Sequence, residues 1–277
     1  LDITMTNIVT NNQRGSLISG GILSLQTNQF MQNGFVQSTT LTIQANRLNN
    51  GSILLSDAAK LTVAMLENTG TIFARQLEIE SNTLVNQGNL IGSILTLQNG
   101  DLENTGLISA SERLLINQNT LQNAGQMTSG LIQVTANTLE NTGLITSTGN
   151  IRLALGDFSN SGTVNAQYLS VYGDTLSNQG SLIGSQNINL GLTGDLENAL
   201  TGAILSNGDF TLSANALNNE GTLQANTFNS RTSYLNNDGV IALQRGVLTS
   251  GQATNNGTIV AEDVLILETD ALTNNGR

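Results

Sequence analysis

The chain has 277 residues, 38% of them hydrophobic and 10% charged, with 29 Gly and no His, Cys, Trp or Pro. Without Cys or His it carries no disulfide framework, no Cys/His zinc site and no Ser-His-Asp triad. Nine basic against twenty acidic residues give a net charge of −11, which repels phosphate backbones and anionic lipid, so no nucleic-acid partner is expected.

From the amino terminus onward, a phrase ending in glycine recurs. It closes at Gly15, Gly34, Gly51, Gly70, Gly88, Gly106, Gly125, Gly143, Gly162, Gly180, Gly202, Gly221, Gly239, Gly257 and Gly276. The fourteen intervals span 261 residues, a mean of 18.6, and most are 18 or 19. Two residues after each glycine stands an apolar side chain, from Leu17, Val36, Ile53 and Ile72 through to Ile241 and Ile259. Further on, an apolar pair alternates around one outward residue, as in Leu77-Glu78-Ile79, Ile151-Arg152-Leu153 and Leu169-Ser170-Val171. Period-two alternation marks a strand with one buried face. A third apolar residue, usually Leu, opens the next glycine phrase.

No unit of 18–19 residues can bury its own apolar face, so the units must stack. Successive coils place equivalent side chains above one another, with backbone groups paired between coils. The expected fold is therefore all-β: a right-handed parallel β-helix of about 14–15 coils, spanning residues 1–277 as one repeat segment. At about 4.8 Å per coil it would extend on the order of 65–70 Å. Asn lies two residues before the glycine in twelve of fifteen units, the exceptions being Gln13, Gln32 and Leu200. Asn and Gly tolerate the left-handed backbone of a tight corner, and Asn68, Asn86, Asn104, Asn123, Asn141, Asn160 and Asn178 are placed to hydrogen-bond along the stack. The absence of proline agrees, since each inner strand would lose a ladder bond to it.

Units such as Leu139-Glu140-Asn141-Thr142-Gly143, continued to Leu153, resemble the haemagglutinin repeats of filamentous haemagglutinin and of CdiA-type effectors of contact-dependent growth inhibition. The resemblance covers essentially the whole chain. It implies the stalk of a very large two-partner-secretion exoprotein on a Gram-negative cell surface, exported through an outer-membrane transporter and carrying toxin or receptor-binding modules elsewhere. Lack of cysteine suits such threading. The chain starts without a signal-peptide layout and both ends fall mid-repeat, so it reads as an excerpt of a longer protein. No apolar run approaches the length of a membrane-spanning helix, and no membrane insertion of this segment is expected.

Candidate chemistry is sparse, and neither a cofactor nor a metal is expected. Glu67, Glu103 and Glu140 take the same slot of alternate units, about two coil steps apart, roughly 10 Å, too wide for a glycosidase pair. Asp101, Asp157, Asp174, Asp195 and Asp209 each follow a glycine, which is turn chemistry. No convergent acid, base and cation are visible, which disfavours a polysaccharide lyase or hydrolase. Tyr168 and Tyr172 flank the inward pair Leu169 and Val171 and so face out together, and Tyr234 precedes inward Leu235; these are the candidates for contact with a glycan or a target-cell receptor. Two irregular units stand out: Leu196–Gly202 carries two extra residues, and Arg245–Ala253 lacks the usual apolar pair.

Overall fold

The computed structural model describes residues 1–277, the side chain of Asn99 excepted. Its 22 strands lie in one sheet, with no helix among the described residues, and wind as about fifteen coils: a β-solenoid of the parallel β-helix type. The chain divides into two compact units, Leu1–Ala136 and Asn137–Arg277.

In the first unit, whole coils are single strands that bend at corners. Phe35–Asn50, Ile53–Asn68, Thr71–Asn86 and Asn89–Asn104 are 16 residues each and pair in parallel along their lengths. Thr71–Asn86 shows how a coil is built. Ile72, Ala74, Leu77, Ile79, Ser81, Leu84 and Asn86 are buried, while outward doublets at Arg75-Gln76 and Asn82-Thr83 interrupt the alternation. Two doublets and the glycine turn make three corners, hence three faces. Branched aliphatic residues fill the faces, as in the fully buried column Leu66, Leu84, Leu102 and Leu121. Small Ala or Ser sits beside a corner, where the section is too narrow for Leu. Each buried Leu contributes about 1.5–3 kcal/mol, and no coil could hold that face from water alone.

The second unit repeats the plan with shorter strands. Thr163–Gly173 pairs in parallel with both Asn150–Asn160 and Ser181–Leu192. Along one core column, Phe210 stacks on Phe228 with ring centroids 4.5 Å apart. The next residue in that column is Gly246, which explains the irregular unit at Arg245–Ala253. The inward pair there is Gly246 and Leu248, and Leu243 takes a corner site normally held by Ala or Ser. A Cβ on Gly246 would lie 2.5 Å from the Cδ1 atom of Leu243, so the larger corner residue fills the room the glycine leaves.

The asparagines face inward and form a buried amide ladder, as the spacing predicts. In the first unit each Nδ2 donates to the Oδ1 of the next coil from Asn50 through Asn68, Asn86 and Asn104 to Asn123, every bond 2.7 Å. In the second unit the same bonds run at 2.7–2.8 Å from Asn141 through Asn160, Asn178, Asn198, Asn219, Asn237 and Asn255 to Asn274. Most of these amides also serve their own turn, as the Nδ2 of Asn178 does by donating to the carbonyl of Gly180 at 3.1 Å, whereas Asn68 and Asn104 reach a carbonyl of the next turn. Aligned amides in a dry interior polarise one another.

Three sequence assignments change. Asn50, not Asn49, occupies the ladder, because Gly51 comes one residue early in its coil; Asn50 pairs with Asn68 and Leu54 with Ile72. Leu54 is therefore the inward residue and Ile53 is 45% exposed. Gln13 and Leu200 are not ladder residues either. Asn11 and Asn198 hold those places, each followed by a wider turn that is closed by Gly15 donating to the Asn12 carbonyl and Gly202 to the Ala199 carbonyl, both at 2.7 Å. Gln32 is the one true substitution. It accepts from Asn11 at 2.8 Å, but its Nε2 donates to the carbonyls of Gly34 and Ile53, and the buried Oδ1 of Asn50 is left without a donor.

The reason for glycine also differs from the expectation. The repeat glycines do not use left-handed backbone. They are required by close approach: a Cβ at Gly88 or Gly106 would lie 2.1 Å from the carbonyl oxygen of the glycine one coil earlier. That carbonyl accepts the next turn's N–H, as Gly88 does from Leu107 at 2.8 Å, so it has no freedom to move aside.

Candidate functional site

Inward side chains are consumed by packing and the ladder, so any recognition falls to outward positions. The strand Thr163–Gly173 puts Tyr168 and Tyr172 on the outer face, as alternation around buried Leu169 and Val171 requires. Parallel register then defines three adjoining columns: Asn150, Tyr168, Asn187; Arg152, Ser170, Asn189; and Ala154, Tyr172, Gly191. Arg152 is the only charged residue among these nine positions.

Tyr172 is held firmly. Its hydroxyl accepts from the Nδ2 of Asn189 at 2.9 Å, and the Oδ1 of Asn189 accepts from the Thr211 hydroxyl at 2.9 Å. A Cβ on Gly191 would come within 3.0 Å of the Tyr172 ring, so glycine lets the ring lean over the neighbouring coil. The Arg152 guanidinium lies 4.8 Å from that ring's centroid, a cation–π contact that orients the group, and the residue is exposed. No carboxylate pairs with Arg152 among the described residues. Tyr168, 43% exposed, is flanked in its column by the exposed amides Asn150 and Asn187.

Tyr234 does not join this cluster. It is 46% exposed and aligns with Ala216 and Gln252 on another face of the second unit. Sequence reading missed Arg152, although its place between the outward partners of the two tyrosines is fixed by the period once the register is known.

The acidic candidates serve contacts between coils. Glu67 and Glu103 share a column with Val85 between them, as expected, and Glu67 accepts from Arg47 at 2.7 Å and from Asn49. Three glycine-linked aspartates clasp the following coil: Asp157 accepts from Thr175, Asp174 from Thr193 and Asp195 from Asn215, at 2.7–2.8 Å; Asp209 instead donates its backbone N–H to Asn187. Asp101 accepts from the Thr120 hydroxyl and then Asn119, which hold its carboxyl below the ordinary value.

The structure also brings together one cluster that the sequence did not reveal. Lys60, the chain's sole lysine, lies 2.8 Å from Glu80 and 3.1 Å from Glu78 beside a shallow groove of about 410 Å³ that Gln76, Thr96 and Arg113 help to line. Glu80 and then Glu78 raise the Lys60 pKa, and Lys60 lowers that of Glu80. These directions oppose acid–base work, which needs a carboxyl shifted up or an amine shifted down.

No family model, no curated protein and no solved structure matches the chain.

Proposed function

We propose that this chain is a structural spacer: a stalk segment of a large secreted exoprotein on a Gram-negative surface, exported through an outer-membrane transporter and holding receptor-binding or toxin modules away from the producing cell. The observation that carries this reading is the amide ladder. About one asparagine per coil is turned inward and matched to its neighbour coil to coil, so the repeat invests that residue in uniform stacking. The repeat's resemblance to haemagglutinin units supports the same reading.

The test is removal of whole coils, in frame, from the native protein. Engagement of a distant target should fall step by step with the number of coils removed, while export and folding persist. Undiminished engagement at every length would refute the spacer. A second reading, in which the segment itself is a binding face for a glycan or receptor, is favoured by the Tyr168–Arg152–Tyr172 cluster. Its test is binding of the isolated chain to cells, and loss of that binding on Tyr168→Ala and Tyr172→Ala.

A further inference from the structure

We infer that the nine-position patch around Arg152 is a recognition site for a carboxylate-bearing sugar ring. This inference rests on the binding-face reading and narrows it to one ligand chemistry.

The first element is the guanidinium. A free surface arginine samples many rotamers, and ordering it opposes binding. Arg152 is already ordered against the Tyr172 ring, and that ring is itself fixed by Asn189 and by the absence of a side chain at Gly191. The planar fork of N–H groups suits a carboxylate, which it grips through two parallel bonds. Arg47 and Lys60 are neutralised by glutamates; Arg152 has no such ion pair, and what sets it apart from the other arginines without one is its seat against an aromatic ring.

The second element is the size and chemistry of what lies beside it. Tyr168 is one column over, about 7 Å along the strand direction, with its ring open to solvent. An exposed aromatic face takes the C–H side of a pyranose, and the amides of Asn150 and Asn187 stand on both sides of it to meet ring hydroxyls, Asn187 through its Nδ2, since its Oδ1 accepts from the Asp209 N–H at 3.2 Å. Three columns by three coils cover roughly 13 by 10 Å, which suits one or two sugar residues and is far too small for a stable protein interface. A uronic acid meets both requirements at once: a ring for Tyr168 and a carboxylate for Arg152.

The experiment uses the 277-residue chain and its own tyrosine emission, which is free of tryptophan because the chain has none. A Tyr234→Phe background leaves only the two patch tyrosines as reporters. Methyl β-glucuronide should change the emission saturably at millimolar concentration, whereas methyl β-glucoside, identical except for the carboxylate, should bind at least tenfold more weakly. Arg152→Gln should weaken the glucuronide at least tenfold, and Tyr168→Ala at least fivefold with the glucuronide's preference over the glucoside retained. Absence of any saturable response, equal response to both glycosides, or insensitivity to Arg152→Gln would overturn the site. The comparison of the two glycosides needs no variant, so it stands even where a substitution impairs folding. N-acetylglutamate amide binding as tightly as the glucuronide would overturn the sugar assignment. Cell binding through Tyr168 that is indifferent to carboxylate would leave the broader binding-face reading intact while refuting this one.

Discussion

Replacing Asn160 with leucine tests the ladder at its strongest point. Asn160 is fully buried, donates to Asn178 at 2.8 Å and accepts from Asn141 at 2.8 Å. Leucine keeps the number of side-chain heavy atoms but is bulkier and not planar, so the change opens no cavity and adds packing strain to the lost hydrogen bonding. The two ladder bonds at about 1 kcal/mol each, plus about 1–3 kcal/mol for leaving the buried Asn178 Oδ1 without its donor, give about 3–5 kcal/mol, before the longer bonds to the Gly162 and Ser181 carbonyls, at 3.3 and 3.4 Å, are counted. The added apolar surface recovers about 1 kcal/mol, while overpacking costs about 1–3 kcal/mol, leaving a net loss of about 3–7 kcal/mol. Asn141 retains weaker acceptors in the carbonyls of Gly143 and Thr163, at 3.3 and 3.5 Å, which keeps the loss from rising further. Asn236 provides the control: it makes a similar inter-coil bond of 2.9 Å to Asn218, but in solvent, so Asn236→Ala should cost below about 0.5 kcal/mol. Urea unfolding followed by circular dichroism measures both. Amide exchange should show protection falling around Asn141, Asn160 and Asn178 first, because solenoid coils interact mainly with their neighbours. A loss under about 1 kcal/mol for Asn160→Leu, or equal effects for the two variants, would refute the view that burial gives the ladder its value.

Three further outcomes follow from other contacts. Gln32→Asn should raise stability by about 1 kcal/mol by giving the Asn50 Oδ1 a donor, seen as a higher thermal midpoint; an unchanged or lower midpoint contradicts this. Gly88→Ala should destabilise by about 3 kcal/mol or more, since the new Cβ meets the Gly70 carbonyl at 2.1 Å, whereas Gly21→Ala, with nothing within 4 Å, should stay within about 0.5 kcal/mol; similar midpoints for the two would dismiss the close-approach argument. The depressed carboxyls of Glu80 and Asp101 contribute stability that is present above their ordinary values of 4.5 and 3.8 and lost as pH falls through their lower folded values. Raised Lys60 contributes below 10.5 and loses that contribution as pH rises through its higher folded value. A Lys60→Met chain should accordingly show a weaker alkaline loss in denaturant titrations, and identical alkaline arms for the two proteins would contradict the assignment.

The solenoid was legible because its determinants are periodic. One apolar residue after each glycine and one alternating pair per unit define inward columns without any knowledge of the corners. Phase errors arose where the glycine moved relative to the asparagine, at Gly51, Gly15 and Gly202. The asparagine carries the true phase, since it must meet its counterparts inside the stack, whereas the turn beyond it tolerates extra residues. The Leu243–Gly246 exchange was hidden because it conserves volume across two positions of a coil rather than at either one. Tyr168 and Tyr172 could be assigned to the outside from alternation alone. Arg152 could not be joined to them, because its role depends on which residues of successive coils lie side by side, a matter of register that one strand's sequence does not state.

Because the ladder asparagines each give a proton to the amide of the coil that follows, the stack has a direction. A completed winding ends in a waiting Nδ2 donor and a row of open backbone groups, which together form a mould for the winding to come. Length can therefore change by whole turns with each amide still finding a mate, as the passage from Asn160 to Asn178 already does in 18 residues. A cut of half a turn would bring an asparagine against leucine and have no such continuation. The protein is in that sense measured in integers.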